Sequence, residues 1–194
     1  VQLVRWGLVP GWVKDPRAFS LLINARAEGM IDKPAFRDSL RNQRCIVPAS
    51  GYYEWQTGRD GRKQPYYVSM ADGSPMAFAG LYATWAGPDG EEVDTAAIVT
   101  VPAGPDTAHV HNRTPAILRG EAVDDWLDTA HVNAAGAARL CQSLEEGAVQ
   151  LHPVGRGIGR ADADGPELIA PVEPEAEPAP VRRKTANSGQ LDLF

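Results

Sequence analysis

Reactive thiols are scarce in this chain. Two cysteines in 194 residues, Cys45 and Cys141, are too few for a disulfide framework, and their spacing matches no zinc site. No metal or other cofactor is expected. No apolar run approaches the roughly 20 residues that cross a bilayer, so no membrane partner is expected either. No secretory leader is visible from Val1 onward, although residues upstream of a non-Met start would hide one. A reducing cytosol is the expected compartment. There is no internal repeat, which excludes solenoids and propellers. An overall charge of -6 disfavours indiscriminate nucleic-acid binding. With 43% apolar residues, what remains fits one domain with a sizeable core, and a monomer is expected.

The net charge conceals an asymmetry. Residues 1–56 hold eight Lys/Arg against five Asp/Glu, whereas residues 86–172 hold five against fourteen. A cationic patch from the first third can therefore coexist with an acidic remainder. The folded domain is expected over residues 1–172. Residues 173–189 are rich in Pro, Glu and Ala and cannot bury a core, so they read as an extended linker.

Within the domain, strands are expected at Leu21–Arg26, Cys45–Ala49, Gly51–Trp55, Pro65–Met70, Met76–Tyr82, Ala96–Val101, Ala116–Leu118 and Val149–Pro153. Arg59-Asp-Gly-Arg62 and Ala86-Gly-Pro-Asp-Gly90 read as turns. Helices are expected at Lys33–Asn42, Gly120–Asp128 and Asn133–Gly147. The elements do not alternate as βαβ units. The expected class is α+β, a mostly antiparallel sheet or barrel-like core with peripheral helices.

Three polar islands interrupt the apolar runs: Asn24-Ala-Arg26-Ala-Glu28, Gly51-Tyr-Tyr-Glu54-Trp55 and His111-Asn-Arg113-Thr-Pro115. Charges embedded in such runs mark a site more often than a core. Strand alternation places Tyr52 and Glu54 on one face, and desolvation by aromatics would raise the Glu54 pKa towards general acid–base use. An ordinary exposed Glu fits the same pattern. His111 sits where a loop enters a strand and can shuttle protons, although His109 competes for that role. Arg113 can hold a phosphate bidentately. Asn24, Arg26 and Glu28 share a face, which fits either a ligand-facing strand or an edge strand with an Arg26–Glu28 surface pair. Trp6 and Trp12 flank a Gly/Pro turn and can stack on unpaired bases or pack in a core.

Taken in order, Trp6-Gly-Leu-Val-Pro-Gly-Trp12, Ile23-Asn-Ala-Arg-Ala-Glu28, Lys33-Pro-Ala-Phe36, Arg44-Cys-Ile-Val-Pro-Ala49, Gly51-Tyr-Tyr-Glu-Trp55 and His111-Asn-Arg-Thr-Pro115 resemble the SOS response-associated peptidase (SRAP) family. The resemblance extends through His152-Pro-Val-Gly-Arg156 and Gly165-Pro-Glu-Leu-Ile169, covering about residues 1–172. It implies shielding of abasic sites in single-stranded DNA during the SOS response, at the nucleoid or replication fork. Family members begin Met-Cys-Gly-Arg. Loss of Met exposes a cysteine whose amine and thiol form a thiazolidine with the sugar aldehyde. That cysteine, and several dozen residues ahead of the first tryptophan motif, are expected upstream of Val1.

By motif match, Glu54 and His111 are the proton-transfer residues, with His111 selected over His109 and also implicated in cross-link release and self-processing. Asn24 positions the cysteine or sugar, Arg26 and Arg113 clamp phosphates, and Trp6 and Trp12 shape the DNA path. Cys45 and Cys141 are expected to be inert. Thr114 stands where the family more often has Met or Arg, and Gly155-Arg-Gly-Ile-Gly159 is unusually glycine-rich.

The chain ends Gln190-Leu191-Asp192-Leu193-Phe194, which resembles the pentapeptide that binds the bacterial replicative sliding clamp. Leu191, Leu193 and Phe194 would fill an apolar groove while Gln190 bonds at its edge. Two other functions fit the motifs less completely: a non-catalytic single-stranded-DNA-binding module, and a thiol peptidase acting on other proteins.

Overall fold

A computed structural model of the chain describes residues 1–160 and 162–173. The linker and terminal pentapeptide expected from the sequence therefore lie outside the described residues, apart from Glu173. Ten strands form two sheets, with three α-helices among the described residues. The class is α+β. The sheets do not close into a barrel, which corrects the barrel-like expectation.

The larger sheet is built on two long antiparallel strands, β6 (Met76–Ala86) and β7 (Glu92–Pro102), joined through residues 87–91. Both run beyond the expected segments. Their Ala- and Gly-rich centres are covered on both faces, so apolar residues run on without alternation. β3 (Arg44–Ala49) pairs with β6. β1 (Arg5–Trp6), which carries no strand signal of its own, and β2 (Asn24–Arg26) pair in parallel with one edge of β7.

β6 and β7 separate beyond the Gly80–Ile98 pair. Residues 113–118 fill the gap as β8 (Arg113–Pro115) on β7 and β9 (Ile117–Leu118) on β6. Ala116 completes the insertion: its N–H donates to Val99 O at 2.8 Å, and its carbonyl accepts from Ala79 N at 2.9 Å. The smaller sheet has the order β10 (Val149–Pro153), β5 (Lys63–Met70), β4 (Tyr52–Thr57), all antiparallel. The turn joining β4 to β5 forms at Arg59–Arg62 as expected, with Gly61 at φ 79°.

One core lies between the large sheet and the helices α1 (Arg37–Asn42), α2 (Glu121–Leu127) and α3 (Ala134–Leu140). Trp126 is fully buried there, and its indole N–H donates to Cys45 O at 2.9 Å. Arg44 is also buried. It donates to the carbonyls of Asp128 (2.7 Å) and Val132 (2.8 Å), and its guanidinium lies over the Trp126 ring. It is therefore a structural cation and leaves the cationic patch foreseen for the first third. A second core, with Val68, Met70, Met76, Phe78 and Ile117, joins the two sheets.

All three helices are shorter than expected, α1 and α3 by several residues. Residues before Arg37 form turns, so Pro34 precedes α1. Asn133 caps α3, accepting from Gly136 N at 2.9 Å, but the helix stops at Leu140 instead of reaching Gly147. Tertiary bonds capture the following segment: Ser143 donates to Pro102 O at 2.6 Å, and Asp106 accepts from Gly147 N and Val149 N. Cys45 is half-buried, not fully buried; Cys141 is buried. No helix among the described residues is long and apolar enough to cross a membrane.

Candidate active-site cleft

Two of the three islands, far apart in sequence, meet because β7 pairs with both, and the third faces them from β4 of the other sheet. On one edge of β7, Ala96, Ile98 and Thr100 pair with Trp6, Asn24 and Arg26. Beyond the separation from β6, Thr100–Pro102 pair with Arg113–Pro115. Ala97, Val99 and Val101 face the helix-side core, while Ile98 and Thr100 face a cleft between the two sheets. The smaller sheet supplies the opposite wall through β4.

The cleft has a volume of about 250 Å3. Five predicted site residues line it: Trp6, Asn24, Glu54, His111 and Arg113. Two predicted residues are not on its walls. Arg26 is exposed, and its register beside Thr100 puts it on the same face as Asn24. Trp12 lies on the loop after β1, exposed, with its ring edge-on to Phe19 at 5.7 Å. Neither Trp6 nor Trp12 is a core tryptophan.

Glu54 and His111 face each other across the cleft, with Nδ1 3.6 Å from Oε2. The other carboxylate oxygen accepts the Trp55 backbone N–H at 3.1 Å, leaving Oε2 towards the imidazole. Nδ1 also meets both backbone polar groups of Arg113, the N–H and the carbonyl oxygen, each at 3.2 Å. As an acceptor this atom takes the Arg113 N–H. As a donor it can bond the Arg113 carbonyl or turn to Glu54. One ring nitrogen thus has partners for both protonation states, which suits a proton-relay position.

Arg113 is not a free phosphate clamp. Its guanidinium bonds both oxygens of Glu28, and Nη2 also donates to Thr100 O (2.6 Å) and Thr100 Oγ1 (3.1 Å). Its Nε is buried without a partner. The hydrogen bond from Arg113 is the main cause of a lowered Glu28 pKa. The Arg26–Glu28 pair considered from the sequence gives way to this longer-range one.

Sequence reasoning overlooked part of the lining. Ile98 and Thr100 sit inside an apolar run, and only register reveals that they face the cleft. Tyr52 closes the floor beside Phe78, and burial pushes its hydroxyl pKa up to about 12. Its hydroxyl bonds Thr114 Oγ1 at 2.7 Å.

The thiols show no activation. Burial raises Cys45 to about 11 and Cys141 to about 12, and neither lines the cleft.

The family model described as SOS response associated peptidase (SRAP) matches residues 1–161. The abasic site processing protein YoqW of Bacillus subtilis is 34% identical over 166 residues, covering 86% of this chain and 74% of the relative. The abasic site processing protein HMCES of Gallus gallus is 34% identical, with 88% of this chain and 57% of the relative covered. A crystal structure of a protein from Bacteroides thetaiotaomicron superposes with a TM-score of 0.81 at 30% identity, covering 89% of this chain and 77% of that one. With a family match over most of its length and a relative 34% identical across 86% of the chain, the chain belongs to the SOS response-associated peptidase (SRAP) family.

Proposed function

We propose that this protein processes abasic sites in single-stranded DNA by forming a covalent cross-link, and that the cleft between the two sheets is where it does so. The observation that carries the proposal is the Glu54–His111 pair, 3.6 Å apart, in a cleft walled by Asn24 and Trp6. An abasic deoxyribose opens to an aldehyde, and the chemistry that captures it requires proton transfers at neutral pH.

In this reading the α-amine of an N-terminal cysteine, which is not among these 194 residues, attacks the aldehyde carbon. The carbinolamine loses water to give an imine. The thiolate of the same residue adds to the imine carbon, and the nitrogen takes up a proton, closing a thiazolidine. Amine and thiol on one residue make the second step effectively intramolecular. Glu54 exchanges protons with the opening sugar and the amine. His111 serves the reverse reaction and the self-processing that exposes the cysteine. Asn24 orients the reacting groups, and Arg26 is the exposed phosphate contact. Arg113 contributes mainly by holding the wall, since Glu28 and Thr100 already occupy much of its fork. Trp6 and Trp12 guide the flanking strand.

The test expresses the whole open reading frame containing this chain and incubates the product with single-stranded DNA carrying one abasic site. A complex that survives denaturation supports the proposal. Reversible binding alone, or cleavage of unrelated peptides without DNA capture, overturns it.

For residues 190–194 we keep the sliding-clamp reading, in a response to DNA damage at the replication fork. Deleting residues 190–194 should abolish binding to a purified bacterial clamp, and unchanged affinity would sink this part of the proposal.

A further inference from the structure

Glu54 lies midway between two hydrogen bonds that tie β4 to the opposite wall. Tyr52, Glu54 and Gln56 share one face of β4. Tyr52 reaches Thr114 Oγ1 at 2.7 Å, and the Gln56 amide donates to His109 O at 3.0 Å. On the partner segment, residues 109 and 114 bracket His111 as residues 52 and 56 bracket Glu54.

Both ties are themselves held. Tyr66 on the neighbouring strand donates to Gln56 Oε1 at 3.3 Å, and its ring meets His109 edge-on at 6.3 Å. The Tyr52 ring packs edge-on against Phe78 at 6.0 Å. The catalytic pair itself is open at 3.6 Å and partly exposed, with side-chain exposures of 44% for His111 and 24% for Glu54. A contact that loose does not hold two sheets together; its geometry has to come from elsewhere.

We infer that Tyr52 and Gln56 are positioning residues: a two-point brace that sets the distance between Glu54 and His111. The inference rests on the proposed function for its catalytic consequence but not for its structural content. Small displacements of a proton-transfer pair cost rate steeply, so loosening either tie should slow capture of an abasic site about fivefold.

The primary test needs no DNA. In DNA-free protein, Glu54→Gln is expected to shift the imidazole nitrogen resonances of His111. In a Tyr52→Phe/Gln56→Ala background, that response should fall by more than half, because the carboxylate is no longer held at the ring. Thr114→Val should weaken the response as well, and Thr114→Ser, which keeps the hydroxyl, should restore it. Tyr52→Phe retains the ring on Phe78, so the fold survives the test. An undiminished response in the double variant overturns the brace.

A second readout uses abasic single-stranded DNA. Tyr52→Phe should slow cross-linking in the native background but have no further effect in Glu54→Gln. Equal slowing in both backgrounds would show that Tyr52 acts independently of the pair, against the inference. If no variant alters cross-linking while the resonance test succeeds, the brace stands and the functional reading fails.

Discussion

Removing the Glu28 carboxylate should loosen the cleft by orphaning Arg113. The Arg113 side chain is 20% exposed, and that of Glu28 is 51% exposed. A fully exposed ion pair contributes at most about 1 kcal/mol. Stripping one partner from a fully buried pair costs about 3–5 kcal/mol. This pair lies between those limits. The cation is mostly buried, its Nε has no acceptor, and Thr100 supplies only neutral oxygens. Glu28→Ala should therefore cost about 2 kcal/mol.

For a domain of this size the loss corresponds to a fall in Tm of about 4–8 °C at pH 7, measurable by calorimetry. Glu28→Ala/Arg113→Met should be no worse than either single variant by more than about 0.5 kcal/mol, since the second change removes the orphaned charge. The pH dependence has a definite sign. The Glu28 pKa is lowered in the folded protein, so its stabilisation is complete above the ordinary value of 4.5 and is lost as pH falls through the folded value. The gap between native protein and Glu28→Ala should thus close on acidification. A Tm change below about 1 °C at pH 7, or strict additivity of the two changes, would refute the reasoning.

Glu54→Gln should slow cross-link formation by about 10²-fold in full-length protein, whereas His111→Ala should mainly slow reversal; unchanged rates in single-turnover assays of both steps would remove them from the mechanism. Cys45 and Cys141 should resist alkylation in native protein at pH 8 and react once it is unfolded, because burial raises their pKa to about 11 and about 12; rapid native labelling would contradict this. Gly51→Ala should destabilise by about 3 kcal/mol in denaturant titrations, because a Cβ there would overlap the Val68 carbonyl and the end of the Tyr67 ring; a change under about 0.5 kcal/mol would mean that β4 can shift freely.

Much of the secondary structure was legible from local patterns. The β4–β5 hairpin follows from alternating residues around Asp60-Gly61, and β10 was placed at its observed ends. Elements whose existence depends on distant partners were not legible. β1 is two residues long and forms because β7 offers it an edge. α3 was expected to run on, but Ser143 and Asp106 draw the chain into other hydrogen bonds.

The site divides along the same line. By itself the sequence singled out the candidate site residues, because polar groups stand out in apolar runs and their ordered motifs match one family. It also determined the class of fold, through short strands that do not alternate with helices. Only the tertiary structure decided which of these groups meet. Arg113 pairs with Glu28 across 85 positions, Glu54 faces His111, and Trp12 lies off the cleft wall. Strand register and the separation of β6 from β7 set those encounters. Both depend on contacts between residues distant in sequence, which no local periodicity encodes.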